Sequence, residues 1–232
     1  MQIIFIIFIF GLSLYLIFSL GYFFVCLFRE IKIAKQSLPF NRDCANTSTI
    51  GIVGDSTALG VGASIPEKSL AGLLGNIYPK STVINISANG FYLNQIADAL
   101  ERQDNFDLLV ICGGGIDIIY LKNINQVRED IQRLFSIADT KSNKIIFITP
   151  LNLGLSSAFP WIVKKFYLRR SKRVGKIIKD EAQKFPKIFV SNNLEIDSQN
   201  LIPPWKEISS PDRIHPNDDG YRWVFERIKS KL

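Results

Sequence analysis

Three residues that together can activate a nucleophile occur at two widely separated places in the chain. Asp212 and His215 lie three residues apart near the C-terminus, and His215 is the only histidine in 232 residues. Far upstream, an apolar run over residues 50–53 is followed by Ser56 within a Gly-Asp-Ser-Thr sequence. A serine hydroxyl is a weak nucleophile that needs a neighbouring base, and that base needs a carboxylate to orient it. Any serine chemistry in this chain therefore has to run through His215, with Asp212 as its partner.

Ser56 and Gly90 occupy positions that could stabilise negative charge on a substrate. A serine at the start of a helix lies among backbone N–H groups that face developing negative charge. Gly90 has no side chain, so a substrate oxyanion could approach its backbone N–H closely. Taken alone, Ser56 fits an ordinary helix N-terminus and Asn89-Gly90 fits a common turn. The distant Asp-x-x-His sequence favours the catalytic interpretation of Ser56, whereas the residues alone leave both explanations of Gly90 open.

The elements that must position these residues alternate between short apolar runs and helix-like stretches. Short, continuous runs rich in Ile and Val are typical of strands that are covered on both faces. The alternation predicts a parallel sheet with helices on both sides, in which ligands bind at the carboxyl ends of the strands. Ser56, Gly90 and the Asp212–His215 pair all follow predicted strands. The predicted strands cover residues 49–53, 82–86, 107–112, 144–149 and 187–190, and the predicted helices cover 67–77, 93–102, 127–138, 162–184 and 217–231.

The sequence argues against cofactor and metal chemistry. The glycine run at 113–115 has the spacing of neither a dinucleotide-binding fingerprint nor a P-loop. Three cysteines at separate positions and a single histidine do not form a metal-binding pattern. We therefore expect no cofactor and no metal.

The N-terminal segment has the composition of a membrane span. Residues 1–28 carry no charged side chain and are mostly Ile, Phe, Leu and Val, which is long enough to cross a bilayer core. A cleaved signal peptide would have a basic start, a shorter apolar region and a small-x-small cleavage site. We predict a retained transmembrane anchor over residues 1–28 and a juxtamembrane linker over 29–48. A single domain over 49–232 is long enough for a full core.

Charges that flank the anchor predict its orientation. Arg29, Lys32 and Lys35 follow the apolar segment, with Glu30 opposing them. The positive-inside rule then places the domain in the cytoplasm. The opposite orientation would make the domain periplasmic or otherwise extracytoplasmic.

The net charge of +7 is concentrated in one basic segment. Residues 164–179 contain eight Lys or Arg side chains and no acid. With Trp161 and other aromatic residues interleaved, this segment predicts contact with anionic lipid headgroups. A solvated helix face whose apolar side packs on the sheet is an equally good explanation. We do not expect nucleic acid as a partner, because no recognisable binding motif accompanies the charge.

These motifs together resemble the SGNH hydrolases, also called the GDSL family of esterases and lipases. The family's Gly-Asp-Ser block is matched at Ser56, its second-block glycine by Gly90, and its Asp-x-x-His-Pro block by residues 212–216. Its third block, Gly-x-Asn-Asp, is partly matched by residues 114–117. The run that begins at Gly-Asp-Ser is similar to the bacterial esterase and lysophospholipase-type branch. The resemblance covers about residues 49–232 and implies a three-layer α/β/α, flavodoxin-like fold with five parallel strands, a Ser-His-Asp triad and no metal.

One position departs from the family pattern. The third-block asparagine of the family donates its amide to the oxyanion, and this chain has Ile116 there. Loss of one such donor costs a serine hydrolase about 2.7–4 kcal/mol of transition-state stabilisation. Asn89 or Asn94 could take over this role.

We therefore predict a membrane-anchored serine hydrolase that cleaves acyl esters, in the manner of an esterase or lysophospholipase. Phe91, Tyr92, Phe159 and Trp161 are candidates to line an apolar acyl site. A carbohydrate O-acetylesterase or an acyl-thioesterase on the same fold is an alternative. A catalytically impaired, lipid-binding membrane protein is a second alternative, because Ile116 cannot donate a hydrogen bond.

Overall fold

The computed structural model describes residues 2–45, 48–194 and 203–232. Met1 of the predicted anchor, residues 46–47 of the predicted linker and residues 195–202 of the predicted domain lie outside the described residues. Short 3₁₀ helices cover Pro66–Lys68, Leu153–Leu155 and Lys229–Lys231. The other elements are, in chain order, α1 (Gln2–Gln36), β1 (Thr49–Gly54), α2 (Ser56–Leu59), α3 (Leu70–Ile77), β2 (Thr82–Asn85), α4 (Leu93–Glu101), β3 (Leu108–Cys112), α5 (Gly115–Ile119), α6 (Ile124–Lys141), β4 (Ile145–Ile148), α7 (Trp161–Ala182), β5 (Ile188–Ser191), α8 (Trp205–Ile208) and α9 (Asp218–Ile228).

The strands of the described residues form one parallel sheet in the order β2-β1-β3-β4-β5. This is the flavodoxin-like strand order, and it confirms the predicted five-stranded parallel sheet. β2 is added on one side of β1, whereas β3, β4 and β5 are added on the other side. The strand order therefore changes direction between β1 and β3, where Ile52 pairs with Val110. Loops that leave neighbouring strands at such a switch point diverge and open a crevice for ligands. The loops after β1 and β3 carry Ser56 and Ile116.

Helices cover both faces of the sheet, which gives the three layers. Alternate side chains of a strand point to opposite faces, so β3 contributes Leu109 and Ile111 to one core cluster and Leu108, Val110 and Cys112 to the other. The first cluster packs against α4, α6 and α7, and the second packs against α3 and α9. Because both faces are buried, the central strands β3 and β4 are apolar along their whole length rather than alternating with polar residues.

Each predicted strand and helix of the domain occurs in the structure, with ends that differ by at most three residues. The structure adds the short helices α2, α5 and α8, which have only four or five residues. A helix of one turn shows no periodicity in the sequence, so these elements could not be predicted.

Helix α1 extends beyond the predicted anchor and packs on the domain. It runs to Gln36, so residues 29–36 of the predicted linker are helical. Among the described residues, α1 is the one helix long and apolar enough to cross a membrane. The side chain of Phe23 packs against the core cluster that contains α7. After α1, the backbone of Arg42 pairs with Val83 at the edge of the sheet.

Candidate active site

Ser56 stands at the turn between β1 and α2. Asp55 is the N-cap of α2, and its carboxylate accepts a hydrogen bond from the backbone N–H of Thr57 at 3.0 Å. The chain can turn here because Gly54 lies against β3, where a Cβ atom would approach the carbonyl oxygen of Cys112 to 2.1 Å. The side chain of Ser56 is therefore presented at the carboxyl edge of the sheet, where it is buried but reaches a cavity.

The side chains of Ser56, His215 and Asp212 form one continuous hydrogen-bonded chain. Nε2 of His215 lies 2.8 Å from Oγ of Ser56, and Nδ1 of His215 lies 2.7 Å from Oδ2 of Asp212. An ionised carboxylate only accepts hydrogen bonds, so Nδ1 carries the ring proton and Nε2 is left to accept from the serine hydroxyl. This is the arrangement in which an imidazole can remove the hydroxyl proton.

Asp212 is held as a carboxylate although it is completely buried. Burial opposes ionisation, but hydrogen bonds from the His215 ring, from the hydroxyl of Ser210 at 2.6 Å and from the backbone N–H of Ile214 at 2.8 Å outweigh it. The pKa of Asp212 therefore lies below its ordinary value. A fixed negative charge in this position orients the imidazole and stabilises its protonated form during catalysis.

The turn over residues 210–215 is held in place by hydrogen bonds, and we call it the braced turn. It brings the side chains of Asp212 and His215 together. Arg213 between them adopts a positive φ of 62°, a backbone conformation that is uncommon for residues other than glycine. Its carbonyl oxygen accepts hydrogen bonds from the indole N–H of Trp205 at 2.7 Å and from the hydroxyl of Ser156 at 2.5 Å. The backbone N–H of Ser210 donates to the carbonyl oxygen of His215 at 2.8 Å and closes the turn.

A mostly apolar cavity of about 310 Å³ opens beside Ser56 and His215. Asn89 and Thr149 are among its few polar lining residues. Apolar walls come from α1, from the start of α5 and from the loop that follows β4. They include Phe23, Leu27, Ile116, Ile119, Leu153 and Phe159.

The chain matches the GDSL-like lipase/acylhydrolase family over residues 52–223, which is well over half of its length. The chain belongs to this family. The SGNH resemblance inferred from the motifs is thereby confirmed, and with it membership of a family of carboxylic ester hydrolases. Comparison with curated proteins finds no match.

Solved structures of similar fold include several bacterial esterases. The psychrotrophic esterase EstA from Pseudoalteromonas sp. has a TM-score of 0.57 at 17% identity, with coverage of 80% of this chain and 96% of EstA. TesA has a TM-score of 0.60 at 18% identity, with coverage of 79% and 97%. The acetylxylan esterase Axe2 from Geobacillus stearothermophilus has a TM-score of 0.57 at 16% identity, with coverage of 79% and 93%. At these identities the similarity establishes the SGNH fold and leaves the substrate open.

The family's second and third blocks meet near Ser56. Gly90 follows β2 in a turn with a positive φ of 81°, and Asn89 beside it lines the cavity. Ile116 lies in the first turn of α5 and also lines the cavity. Of the two asparagines that could replace the missing amide, Asn89 is among the described residues that line the cavity and Asn94 is not. The side-chain oxygen of Asn94 accepts a hydrogen bond from Nζ of Lys122 at 3.0 Å.

Asp117 of the third block joins the segments that follow β2 and β3, a contact that the sequence did not reveal. Its carboxylate accepts the backbone N–H of Leu93, the first residue of α4, at 3.1 Å. Burial raises the pKa of Asp117, while this hydrogen bond and Lys122 at 3.5 Å act in the opposite direction. The contact joins α5 to the loop that carries Asn89 and Gly90.

Three of the aromatic residues proposed for the acyl site lie elsewhere. None of Phe91, Tyr92 and Trp161 is among the described residues that line the cavity. Phe91 packs against the core cluster, the ring of Tyr92 lies beside Tyr120, and Trp161 is 63% exposed. Loop residues next to a motif can point to either side of the backbone, and the sequence does not show which. Phe159, also a candidate, does line the cavity.

Proposed function

We propose that this chain is a membrane-anchored serine hydrolase that cleaves acyl esters, with Ser56 as nucleophile, His215 as general base and acid, and Asp212 as the orienting carboxylate. The observation that carries this proposal is the unbroken hydrogen-bonded chain from Ser56 through His215 to Asp212. A protein that only binds lipid would have no chemical need for this arrangement. Membership of an esterase family supports the same reaction class.

The reaction divides into two halves that use the same residues. Oγ of Ser56 attacks the acyl carbon while its proton passes to Nε2 of His215. The tetrahedral intermediate collapses, the bond to the alcohol oxygen breaks, and the leaving alkoxide takes the proton from His215. Water then attacks the acyl-serine with the same base, which releases the carboxylic acid and restores the Ser56 hydroxyl.

Stabilisation of the oxyanion needs donors near Ser56. In this proposal the backbone N–H groups of Ser56 and Gly90 supply two of them, as the family resemblance implies. Ile116 cannot supply the third. The side-chain amide of Asn89 is the donor that we propose in its place, because Asn89 is among the described residues that line this cavity and Asn94 is not.

The walls of the cavity favour an acyl group longer than acetyl. Apolar side chains from α1, α5 and the loop after β4 extend away from the catalytic pair. Burying methylene groups against such walls contributes about 0.8 kcal/mol each. An acetyl group would leave most of this surface unused, so an O-acetylesterase specificity is the less favoured alternative.

Helix α1 is proposed as a retained anchor rather than a removed signal. Its side chains Phe23 and Leu27 form part of the cavity wall, and Arg29 donates to the carbonyl oxygen of Pro211 at 3.2 Å. Cleavage behind the apolar segment would remove Phe23 and Leu27 from the cavity wall. Intact-mass measurement of the purified protein tests this, because a shortened N-terminus would contradict retention.

The orientation of the anchor and the role of the basic segment are also proposals. Arg29, Lys32 and Lys35 support a cytoplasmic domain through the positive-inside rule. Exposed cations of residues 164–179 would then face anionic headgroups. Fusions of a compartment-specific reporter to the C-terminus test the orientation. Activity of a periplasmic reporter there would contradict it.

Hydrolysis of p-nitrophenyl esters from acetate to long acyl chains by the full-length protein in detergent tests the proposed reaction. We expect rates that increase beyond acetate and that fall about 10⁴-fold or more in Ser56→Ala. Ser136→Ala is the matched control, because Ser136 is exposed on α6 away from the site. Equal hydrolysis by wild type and Ser56→Ala would refute the proposal, and a rate maximum at acetate would favour an acetylesterase.

A further inference from the structure

One face of α1 contacts the hydrolase domain along most of the helix. Its partly or fully buried positions recur every three or four residues, which is the spacing of a single helix face. Three contacts fix this face: the hydroxyl of Tyr15 accepts the backbone N–H of Trp161 at 3.0 Å, the rings of Phe23 and Phe159 lie 5.8 Å apart, and Arg29 bonds to Pro211. The shielded positions from the middle of the helix onwards are Leu12, Tyr15, Ser19, Phe23, Cys26, Glu30 and Ile33.

The length of α1 places part of this contact at the membrane surface. Its 35 residues span about 52 Å, whereas about 20 residues suffice to cross the hydrocarbon core. The remaining turns, which include Phe23 and Leu27, extend beyond the core toward the headgroups. Tyr15 lies earlier in α1, so with α1 as the proposed span the edge of the domain at Trp161 would lie in the interfacial region of the bilayer.

The domain surface beside α1 has the composition of an interfacial surface. Trp161 and Phe166 at the start of α7 are 63% and 50% exposed, and Tyr120 at the cavity is 68% exposed. Exposed cations follow on the same helix, among them Lys165 and Arg169. Aromatic rings at the headgroup level and basic residues near anionic lipid are the usual anchors of such surfaces.

The cavity is lined both by the proposed catalytic pair and by the helix that would cross the bilayer. Ser56 and His215 line it, and α1 contributes Phe23, Leu27 and Glu30 to the same lining. An acyl chain whose carbonyl carbon lies at Oγ of Ser56 would therefore extend against α1. The same helix that would cross the bilayer is a wall of the proposed acyl site.

We infer that the substrate is a bilayer-resident acyl ester whose acyl chain enters the cavity laterally from the membrane along α1. The anchor is then part of the acyl-binding site and not only a tether. This inference rests on the proposed function, because it assigns the substrate class to the same serine. A water-soluble ester that enters from the aqueous side is the competing occupant, and it would not depend on α1.

The test uses the full-length protein in anionic vesicles and two p-nitrophenyl phosphonate probes that differ only in their alkyl chain. An ethyl phosphonate reaches the serine from water, and a hexadecyl phosphonate stays in the bilayer. In either case Oγ of Ser56 displaces p-nitrophenolate from phosphorus, and its proton passes to His215. The rate of adduct formation at Ser56 is measured by mass spectrometry.

A matched pair of substitutions separates the cavity wall from the lipid-facing side of α1. Leu27 lines the cavity, whereas its neighbour Phe28 is 71% exposed. We expect Leu27→Trp to slow labelling by the hexadecyl probe about tenfold or more relative to labelling by the ethyl probe, since a larger side chain takes up space in the cavity that only the long chain needs. Phe28→Trp is expected to leave both rates within about twofold.

Placing the hexadecyl probe in the same vesicles as the protein or in separate vesicles tests the route of entry. Lateral entry predicts labelling that is about tenfold or more faster when probe and protein share a bilayer. Equal rates in the two arrangements, or equal effects of Leu27→Trp and Phe28→Trp on the hexadecyl probe, would overturn the inference. Failure of the ethyl probe to label Ser56 would instead refute the proposed function, and this inference with it.

Discussion

The imidazole of His215 lies 2.8 Å from the hydroxyl of Ser56, although 159 positions separate the two residues in the chain. The pair meets because β1 delivers Ser56 to the carboxyl edge of the sheet and the braced turn before α9 delivers His215 to the same edge. The two side chains need no rearrangement before proton transfer, because folding already holds them in a suitable orientation.

Loss of the negative charge at Asp212 is expected to remove most of the activity. Asp212→Asn keeps the size of the side chain but favours the wrong tautomer of His215, which costs serine hydrolases about 10⁴-fold in kcat. Steady-state hydrolysis of a p-nitrophenyl ester measures the effect. Asp219→Asn is the control, because that acid is exposed and pairs with the exposed side chain of Arg222. A loss of less than about tenfold in Asp212→Asn would mean that His215 does not depend on it.

Replacement of Asn89 tests the proposed oxyanion donor. We expect Asn89→Ala to lower kcat about 10²- to 10³-fold with little change in KM, because the lost hydrogen bond strengthens only in the transition state. Asn94→Ala, which removes an amide bound to Lys122, is expected to change kcat far less.

A second substitution distinguishes loss of the donor from a disturbed loop. Ile116→Asn restores the family's amide at another residue that lines the same cavity, so it should recover activity in the Asn89→Ala background. Equal losses in Asn89→Ala and Asn94→Ala, or no recovery by Ile116→Asn, would contradict the assignment of Asn89.

Two adjacent arginines of α7 are expected to differ in their effect on stability. Arg170 donates hydrogen bonds to the carbonyl oxygens of Asp117, Ile118 and Lys122 and so holds the end of α5. Arg170→Ala should lower the free energy of unfolding by about 1–3 kcal/mol, because these carbonyls lose their donor. Arg169 is exposed, and Arg169→Ala should change the unfolding free energy by about 0.5 kcal/mol or less.

Thermal unfolding of the two arginine variants in detergent, followed by tryptophan fluorescence, measures this difference. Binding of each variant to anionic vesicles is the second measurement. Arg169→Ala should weaken this binding more than Arg170→Ala, because the exposed Arg169 is the arginine available to headgroups. Similar melting temperatures for Arg169→Ala and Arg170→Ala would contradict the bracing role of Arg170.

The raised pKa of Asp55 predicts that the free energy of unfolding decreases as the pH rises from about 4 to about 6. Burial raises its pKa to about 6, although hydrogen bonds from Thr57 and Gly115 partly compensate. The folded state then binds a proton more tightly than the unfolded state, so the free energy of unfolding decreases as the pH rises through this window. The full difference corresponds to about 3 kcal/mol.

Asp55→Asn is expected to remove this slope, because an amide does not ionise. Unfolding free energies of wild type and variant, measured in steps between about pH 4 and pH 7, provide the comparison. Asp212 has the opposite effect, because its pKa is lower in the folded protein than in the unfolded chain. Its contribution to stability is present above the pKa of the unfolded chain and is lost as the pH falls through the lower pKa of the folded protein. Parallel curves for the two proteins would show that Asp55 is not the group responsible.

The sheet and the meeting of Ser56 with His215 could be predicted because each depends on a rule that is local in sequence. A strand that is buried on both faces needs a continuous apolar run, and β3 is such a run. Parallel strands end at one edge, so motifs that follow different strands converge there. These two rules placed Ser56, Gly90 and His215 at a common edge before any coordinates were known.

The contact between α1 and the domain could not be predicted, because an almost uniformly apolar helix does not show which side faces protein. Less apolar residues such as Tyr15, Ser19 and Glu30 recur on the buried side, but their spacing has meaning only once the partner surface is known. The same limit applies to Phe91 and Trp161, whose side chains lie away from the cavity. Asp117 was recognised only as part of a motif, because its hydrogen bond to Leu93 joins two loops that are distant in sequence.

The most direct test of the catalytic assignment is covalent labelling of the full-length protein by an ethyl p-nitrophenyl phosphonate, followed by peptide mapping. The account predicts a single adduct on Ser56 that is absent in Ser56→Ala and forms about 100-fold or more slowly in His215→Ala. An adduct on another residue, or labelling of Ser56 at the same rate without His215, would contradict it.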